Sequence, residues 1–160
     1  MSRIYIPGLV YDEAAPYDSW LKYVIFGLPL LLVIIGIVLI KVDLEGTFTM
    51  IGDAALVGAI FYFVMPRRFQ IFEDRIKIVL ARPFSINIPF STIKELHPGS
   101  GYLYGGIKFA TSARNVVEIT RHRGMDIIIS PAKRDIFLEQ YHLAKQSYDK
   151  MHPGELIHKS

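Results

Sequence analysis

The chain has 160 residues, of which 51% are hydrophobic, and its formal net charge at pH 7 is only +3. A charge this small, with no concentrated basic tail, argues against a nucleic-acid-binding protein. The sequence contains no cysteine, which excludes disulfides, thiolate metal sites, a cysteine nucleophile and lipidated cysteines.

The hydrophobic residues are unevenly distributed, and this divides the sequence into four segments. Most of the uncharged apolar residues precede residue 66, whereas the rest has the composition of a small soluble domain. We predict an N-terminal segment at residues 1–19, a transmembrane helical hairpin at 20–66, a β-rich domain at 67–148 and a flexible tail at 149–160. The N-terminal segment is too short to show whether it lies along the membrane interface or against the domain.

The first membrane span is predicted at about residues 22–41. It contains Val24–Ile40, a run without a charged or strongly polar side chain, whose helical length of roughly 26 Å approaches that of a bilayer's hydrocarbon core. Trp20, Lys22 and Tyr23 stand at one end of the run and Lys41 at the other. Aromatic and basic residues are typical of the place where a spanning helix meets the lipid headgroups.

The second span is predicted at about residues 48–65, and Asp53 interrupts it near its outer end. A carboxylate there either reaches headgroup water, or makes a polar contact with a partner helix, or forms a proton or ion site. Small residues recur four apart in the same helix and predict a helix–helix interface. Packing against the first span would use one small-residue face, which leaves a second face for another chain. The interface residues are Asp53, Ala54, Ala55, Gly58 and Ala59.

Basic residues near the ends of the spans predict the orientation in the membrane. Arg3 and Lys22 flank the first span, Arg67 and Arg68 follow the second, and the intervening loop holds only Lys41. Because cytoplasmic segments carry the excess of Lys and Arg, we expect a multi-pass protein of the cytoplasmic membrane with both termini in the cytoplasm.

From residue 69 onward the apolar residues recur every second position, which is typical of half-buried antiparallel strands. Ser91–Leu96 fits either a helical turn or a strand. A helix is predicted from Ala132 to Tyr148, with Ser130 as N-cap and Pro131 at its first position. The strands are predicted at Phe69–Phe72, Arg75–Leu80, Phe84–Pro89, Gly106–Thr111, Val116–Arg121 and Asp126–Ser130.

Four motifs in this part of the chain resemble the bacterial pleckstrin-homology-like domains that follow paired membrane helices in small bacterial proteins. The motifs are Pro66–Leu80, Ile88–Leu96, Asn115–Thr120 and Asp126–Phe137. The resemblance implies a membrane-anchored α+β protein in which a two-helix transmembrane hairpin precedes a seven-stranded, strongly bent antiparallel β-barrel, capped by the C-terminal helix. It also implies binding or assembly roles and a tendency to form homo-oligomeric rings.

The first hairpin of the domain departs from the lipid-binding members of that fold. In those members the hairpin carries a basic cluster for inositol phosphates, whereas this chain has Glu73 and Asp74 at the turn. Two carboxylates repel a phosphorylated headgroup, so phosphoinositide binding is not expected.

No arrangement of reactive side chains in the sequence indicates an enzyme, a metal site or a cofactor site. The five histidines lack the paired helical spacing of a metal motif. The glycine-rich run Gly99–Lys108 has Ile107 where a phosphate-binding loop needs its lysine, and no strand–helix unit surrounds it. We interpret the run as a loop in which Tyr102, Leu103 and Tyr104 form a partner-binding patch.

Three classes of function remain at this point. The first is a non-catalytic membrane protein whose cytoplasmic pleckstrin-homology-like domain binds proteins, assembles or homo-oligomerises, with the lipid bilayer and a second copy or another membrane protein as partners. The second is a small accessory subunit of a larger transport or respiratory membrane complex. The third, an enzyme, has no supporting residues in the sequence.

Overall fold

The structure is a computed structural model that describes residues 8–99 and 106–153. The chain forms two compact units, one of them Tyr17–Met65 and the other made of Met1–Pro16 together with Pro66–Ser160. The described part of the first unit is a pair of helices, and that of the second is two β-sheets and a helix. The predicted α+β class is confirmed, and the helical unit is inserted into the chain of the sheet unit.

The bounds of the elements follow in chain order. The helices are α1 at Ser19–Leu39, α2 at Leu44–Val64 and α3 at Arg134–Met151. The first four strands are β1 at Leu9–Ala14, β2 at Arg68–Phe72, β3 at Arg75–Val79 and β4 at Ser85–Pro89. The second four are β5 at Ile93–Pro98, β6 at Gly106–Phe109, β7 at Val117–Arg121 and β8 at Asp126–Ile129.

Helix α2 begins at Leu44, before the predicted start near residue 48, because Asp43 caps it. The Asp43 carboxylate accepts a hydrogen bond from the Gly46 amide at 2.9 Å, which satisfies one of the amide groups left open at a helix start. The cap folds closely over Gly46, where an added Cβ would clash with the Asp43 carboxylate. The connection between the two helices is therefore shorter than predicted.

The first sheet has the strand order β1-β2-β3-β4, and every pairing in it is antiparallel. The N-terminal segment therefore lies against the domain, since β1 pairs with β2 from Leu9 opposite Phe72 to Ala14 opposite Arg68. Alternation in β3 puts Ile76 and Ile78 in the core, both fully buried. Strand β2 adds Phe69 and Ile71 to the same core.

The second sheet has the order β5-β7-β8-β6 and is mixed. Strands β7 and β8 form the antiparallel hairpin that the turn at 122–124 predicts, whereas β6 pairs parallel to β8. Antiparallel pairing had been expected for every strand, but β6 is paired with β8 rather than with its neighbour in sequence. The described strands make two sheets of four, and the seven-stranded barrel remains a prediction.

Helix α3 begins at Arg134, after the predicted start at Ala132, and Ser130 is not its N-cap. The Ser130 hydroxyl instead accepts hydrogen bonds from the amides of Thr111 at 2.9 Å and Ser112 at 3.1 Å, so it joins two loops. The inner face of α3 is formed by Phe137, Tyr141 and Ala144, all buried, and Tyr141 meets Phe90 edge-to-face at 5.4 Å. The helix thus completes the core of the sheet unit.

Candidate functional site

Helices α1 and α2 are each long and apolar enough to span a membrane. Of the most apolar stretch, only 6% is buried in α1 and 11% in α2, so most of the apolar surface of both helices is exposed. Phe26, Val38 and Phe48 are 74%, 71% and 68% exposed. An apolar surface of this extent is typical of a membrane or protein contact.

The two helices approach each other closely at Gly36. A Cβ added to Gly36 would lie 3.4 Å from the Thr47 carbonyl oxygen and from side-chain atoms of Met50 and Ile51. The Thr47 hydroxyl oxygen is buried, 3.1 Å from the Gly36 carbonyl oxygen and 2.9 Å from that of Asp43. Glycine at 36 allows the backbones to approach, and the Thr47 hydroxyl then links them.

The predicted small-residue interface is divided between two sides of α2. Ala54 is buried at 5% exposure, whereas Ala55 and Ala59 are exposed. Gly58 is half-buried, and a Cβ placed on it would meet no atom of the described residues within 4 Å. The contact between the helices therefore uses Ala54 and Thr47 of α2 and Gly36 of α1. The spacing of small residues within α2 did not identify Thr47 or Gly36.

Asp53 lies near the middle of α2, about 14 Å along the axis from Leu44. The sequence had placed it near the outer end of a shorter span, and the earlier start of the helix at Leu44 explains the difference. Its side chain is exposed, and no hydrogen bond or ion pair joins it to another residue of the described chain.

The residues predicted to lie at the membrane interface are found at the ends of the hairpin. Trp20 and Tyr23 are 61% and 78% exposed in the first turns of α1, and Lys22 is exposed beside them. Lys41 is exposed in the connection between α1 and α2, and Arg67 is exposed just before β2.

Arg68, the last of the predicted interface residues, forms an ion pair with a strand of the sheet unit. Its guanidinium donates two hydrogen bonds to Asp12 of β1, at 2.9 Å and 2.5 Å. The Gln70 amide donates to the same carboxylate at 3.3 Å. Arg68 thus connects β1 to β2 across the insertion, a contact that no local pattern around Arg68 predicts.

Glu13 connects β1 to the start of α3. Its carboxylate accepts hydrogen bonds from the Lys133 amide and the Tyr11 hydroxyl, each at 3.2 Å. Burial raises the pKa of the Glu13 carboxyl, and the hydrogen bonds oppose that shift. Burial and the nearby Glu13 raise the pKa of Tyr11 to about 12, so its hydroxyl stays protonated and donates.

The patch Tyr102, Leu103 and Tyr104 lies outside the described residues. Within them, no group of three or more His, Asp or Glu side chains is placed to hold a metal ion. His97 lies 3.5 Å from Glu118 across the β5–β7 pairing, and both side chains are partly exposed.

No protein-family model, no curated protein and no solved structure matches this chain.

Proposed function

We propose that this chain is a non-catalytic integral membrane protein that holds a pleckstrin-homology-like domain at the cytoplasmic face, where the domain binds proteins or assembles with further copies. The observation that carries the proposal is the insertion of two exposed apolar helices between paired strands β1 and β2. An apolar helical hairpin attached at both ends to one folded unit is a membrane anchor for that unit.

The energetics of the helix surfaces support membrane insertion. Each square ångström of apolar surface removed from water contributes roughly 25 cal/mol, and both helices present large side chains around most of their circumference. A bilayer covers that surface, and the backbone hydrogen bonds within each helix satisfy its polar groups.

The pairing of β1 with β2 indicates that the two ends of the hairpin lie next to each other. The Ala15 amide donates to the Arg67 carbonyl oxygen at 2.9 Å, so the chain leaves and re-enters the sheet unit at neighbouring points. Both ends of a spanning hairpin then lie on the same side of the membrane. Lys22, Arg67 and Arg68 favour the cytoplasm as that side, although Asp12 offsets the charge of Arg68.

The sheet unit supports the domain type through its two antiparallel or mixed sheets and the packing of α3. Phe137 and Tyr141 of α3 are buried with the strand residues, as a helix that caps a bent sheet requires. In this proposal β1 adds a strand to the seven of the resembled fold, and the sheets close into a barrel.

Size measurement after purification in mild detergent tests the assembly role. We expect a homo-oligomer whose mass, corrected for detergent by light scattering, exceeds that of one chain. Gly58→Leu is the informative variant, since an added Cβ there meets no described atom within 4 Å, and we expect it to disrupt the oligomer. A monomer without any bound protein contradicts the assembly role.

Asp53 favours the second candidate, an accessory subunit of a larger membrane complex. Its exposed carboxylate near the middle of α2 needs a polar partner once the helix is in lipid. Co-purification of an unrelated membrane protein in a fixed ratio, lost in Asp53→Leu, would support this role over self-assembly.

A further inference from the structure

The hairpin satisfies one of its polar groups internally and leaves another open. The Thr47 hydroxyl faces α1 and shares its proton between two carbonyl oxygens. Asp53, farther along the same helix, is exposed and has no polar contact within the described chain. The Thr47 hydroxyl therefore has its hydrogen-bond partners within the hairpin, whereas a polar partner for Asp53 has to come from outside the hairpin.

The depth of Asp53 makes an uncovered carboxylate unfavourable in a membrane. A charged aspartate at the centre of a spanning helix costs about 3 kcal/mol, and the position lies roughly 14 Å from the start of α2. Ionisable residues at such depth normally face protein or a water-filled cavity and pair with another group. Protein or a water-filled cavity is therefore needed next to this side of α2 wherever the hairpin spans a bilayer.

Residues around Asp53 have the spacing of a helix-packing surface. Positions 49, 53, 56 and 60 alternate steps of four and three, which places them along one side of α2. Leu56 is 60% exposed and Ile60 51% exposed, while the exposed Thr49 hydroxyl is bonded to its own helix at Glu45. We call Thr49, Asp53, Leu56 and Ile60 the Asp53 face. Its apolar half suits the side of another helix.

Charge complementarity distinguishes between the candidate helices. Helix α2 contains no basic residue, and the single lysine of α1, Lys22, lies in its first turns. A second copy inserted in the same direction brings another aspartate to the depth of Asp53, and two like charges there repel. A helix with Lys or Arg at that depth supplies an opposite charge and hydrogen-bond donors.

We propose that the Asp53 face is the docking surface for a transmembrane helix of another protein, one that carries lysine or arginine at the depth of Asp53. Leu56 and Ile60 pack against the apolar side chains of that helix, and the carboxylate pairs with the cation. This inference rests on the proposed membrane insertion of the hairpin.

The test uses a designed transmembrane helix of leucine and alanine with one central lysine, and a matched helix with leucine at that position. The full chain and each probe helix are reconstituted in phosphatidylcholine vesicles, and association is measured by energy transfer between fluorescent labels. We expect about tenfold tighter association with the lysine helix. Asp53→Leu should abolish the preference and Asp53→Asn should reduce it. Ala55→Leu, a control on another exposed side of α2, should retain it.

Equal affinity for the two probe helices would overturn the inference, and so would a lysine preference that survives in Asp53→Leu. Energy transfer between differently labelled copies of the chain is measured in the same vesicles. If those copies associate, and Asp53→Leu abolishes their association, the occupant is a second copy and the inference is wrong. Extraction of the chain by alkaline carbonate would instead refute the membrane insertion, and the inference with it.

Discussion

At the scale of single residues, Glu13 has two opposed roles. It holds β1 to the amino end of α3 through the Lys133 amide, where a negative charge is favourable. Its Oε1 atom, however, is buried and has no hydrogen-bond partner among the described residues. Burial disfavours the charged carboxyl more than the hydrogen bonds favour it, so the pKa of Glu13 is raised.

Glu13→Gln should change the pH dependence of stability. A raised pKa in the folded state means that the favourable contribution of Glu13 is full at low pH and is lost as the pH rises through that pKa. Glutamine keeps an acceptor for the Lys133 amide without the charge. The wild-type chain should therefore lose stability relative to Glu13→Gln as the pH rises above the ordinary pKa of a glutamate carboxyl, about 4.3.

Thermal unfolding in detergent, followed by circular dichroism of the sheet unit, measures this difference at each pH. Glu73→Gln is the matched control because Glu73 lies in the exposed β2–β3 turn. A wild-type chain that gains stability over Glu13→Gln as the pH rises would contradict the role of burial.

At the scale of elements, the contact between α1 and α2 depends on Gly36. Gly36→Leu should separate the helices, because the side chain would enter space occupied by Met50, Ile51 and the Thr47 backbone. We expect a loss of about 1–3 kcal/mol in hairpin stability, the usual effect of overpacking. The measurement is the amount of sodium dodecyl sulfate needed to abolish energy transfer between dyes on cysteines introduced at Ser19 and Val64.

Gly27→Leu serves as the control for this prediction. An added Cβ at Gly27 meets no atom within 4 Å, so the same change in α1 should leave the transition where it is. Equal effects of the two substitutions would show that the close contact at Gly36 does not stabilise the hairpin.

The pairing of β1 with β2 can be tested through its ion pair. Asp12→Arg should destabilise the sheet unit by about 0.5–1 kcal/mol, because it places two guanidinium groups side by side. The reciprocal exchange, Asp12→Arg with Arg68→Asp, should restore part of the loss. Thermal unfolding of the four chains of this cycle gives the coupling, and a coupling of zero would mean that the pair does not hold β1 in place.

Local patterns predicted the elements whose stabilising contacts lie nearby in sequence. Strand β3 was predicted because Ile76 and Ile78 alternate with exposed or half-buried residues, and β7 and β8 because they flank a tight turn. Strand β1 was not predicted, since Asp12 and Arg68 are 56 positions apart and nothing in Leu9–Ala14 indicates its partner.

The start of α3 shows a similar limit on the use of capping patterns. Ser130 and Pro131 have the sequence of a helix start, but the Ser130 hydroxyl bonds to Thr111 and Ser112. Glu13, far away in sequence, approaches the helix start instead. A cap supplied by tertiary contact leaves no local pattern to read.

At the scale of the whole molecule, the helical unit divides the chain of the sheet unit. Strand β1 is synthesised before the hairpin, and its partner β2 follows both helices. The first sheet therefore gains its β1 strand only when the ends of the hairpin meet, and a spanning hairpin must return to the side from which it started.

Some candidate functional residues could be predicted because their position beside an apolar run is visible in the sequence itself. Trp20, Tyr23 and Lys41 follow from the length of the apolar run that they flank. The pairing of Arg68 and the mid-helix position of Asp53 depend on β1 and on the Asp43 cap, so they required the structure.

We expect two spanning helices to hold the sheet unit on the cytoplasmic side, and single cysteines can test this because the sequence contains none. Val42→Cys, between the helices and 85% exposed, should react with a membrane-impermeant maleimide on intact cells. Ala14→Cys and Lys94→Cys, both exposed in the sheet unit, should react only after permeabilisation, and Leu31→Cys within α1 in neither case. Labelling of Val42→Cys and Lys94→Cys from the same side, or of Leu31→Cys in intact membranes, would contradict the claim.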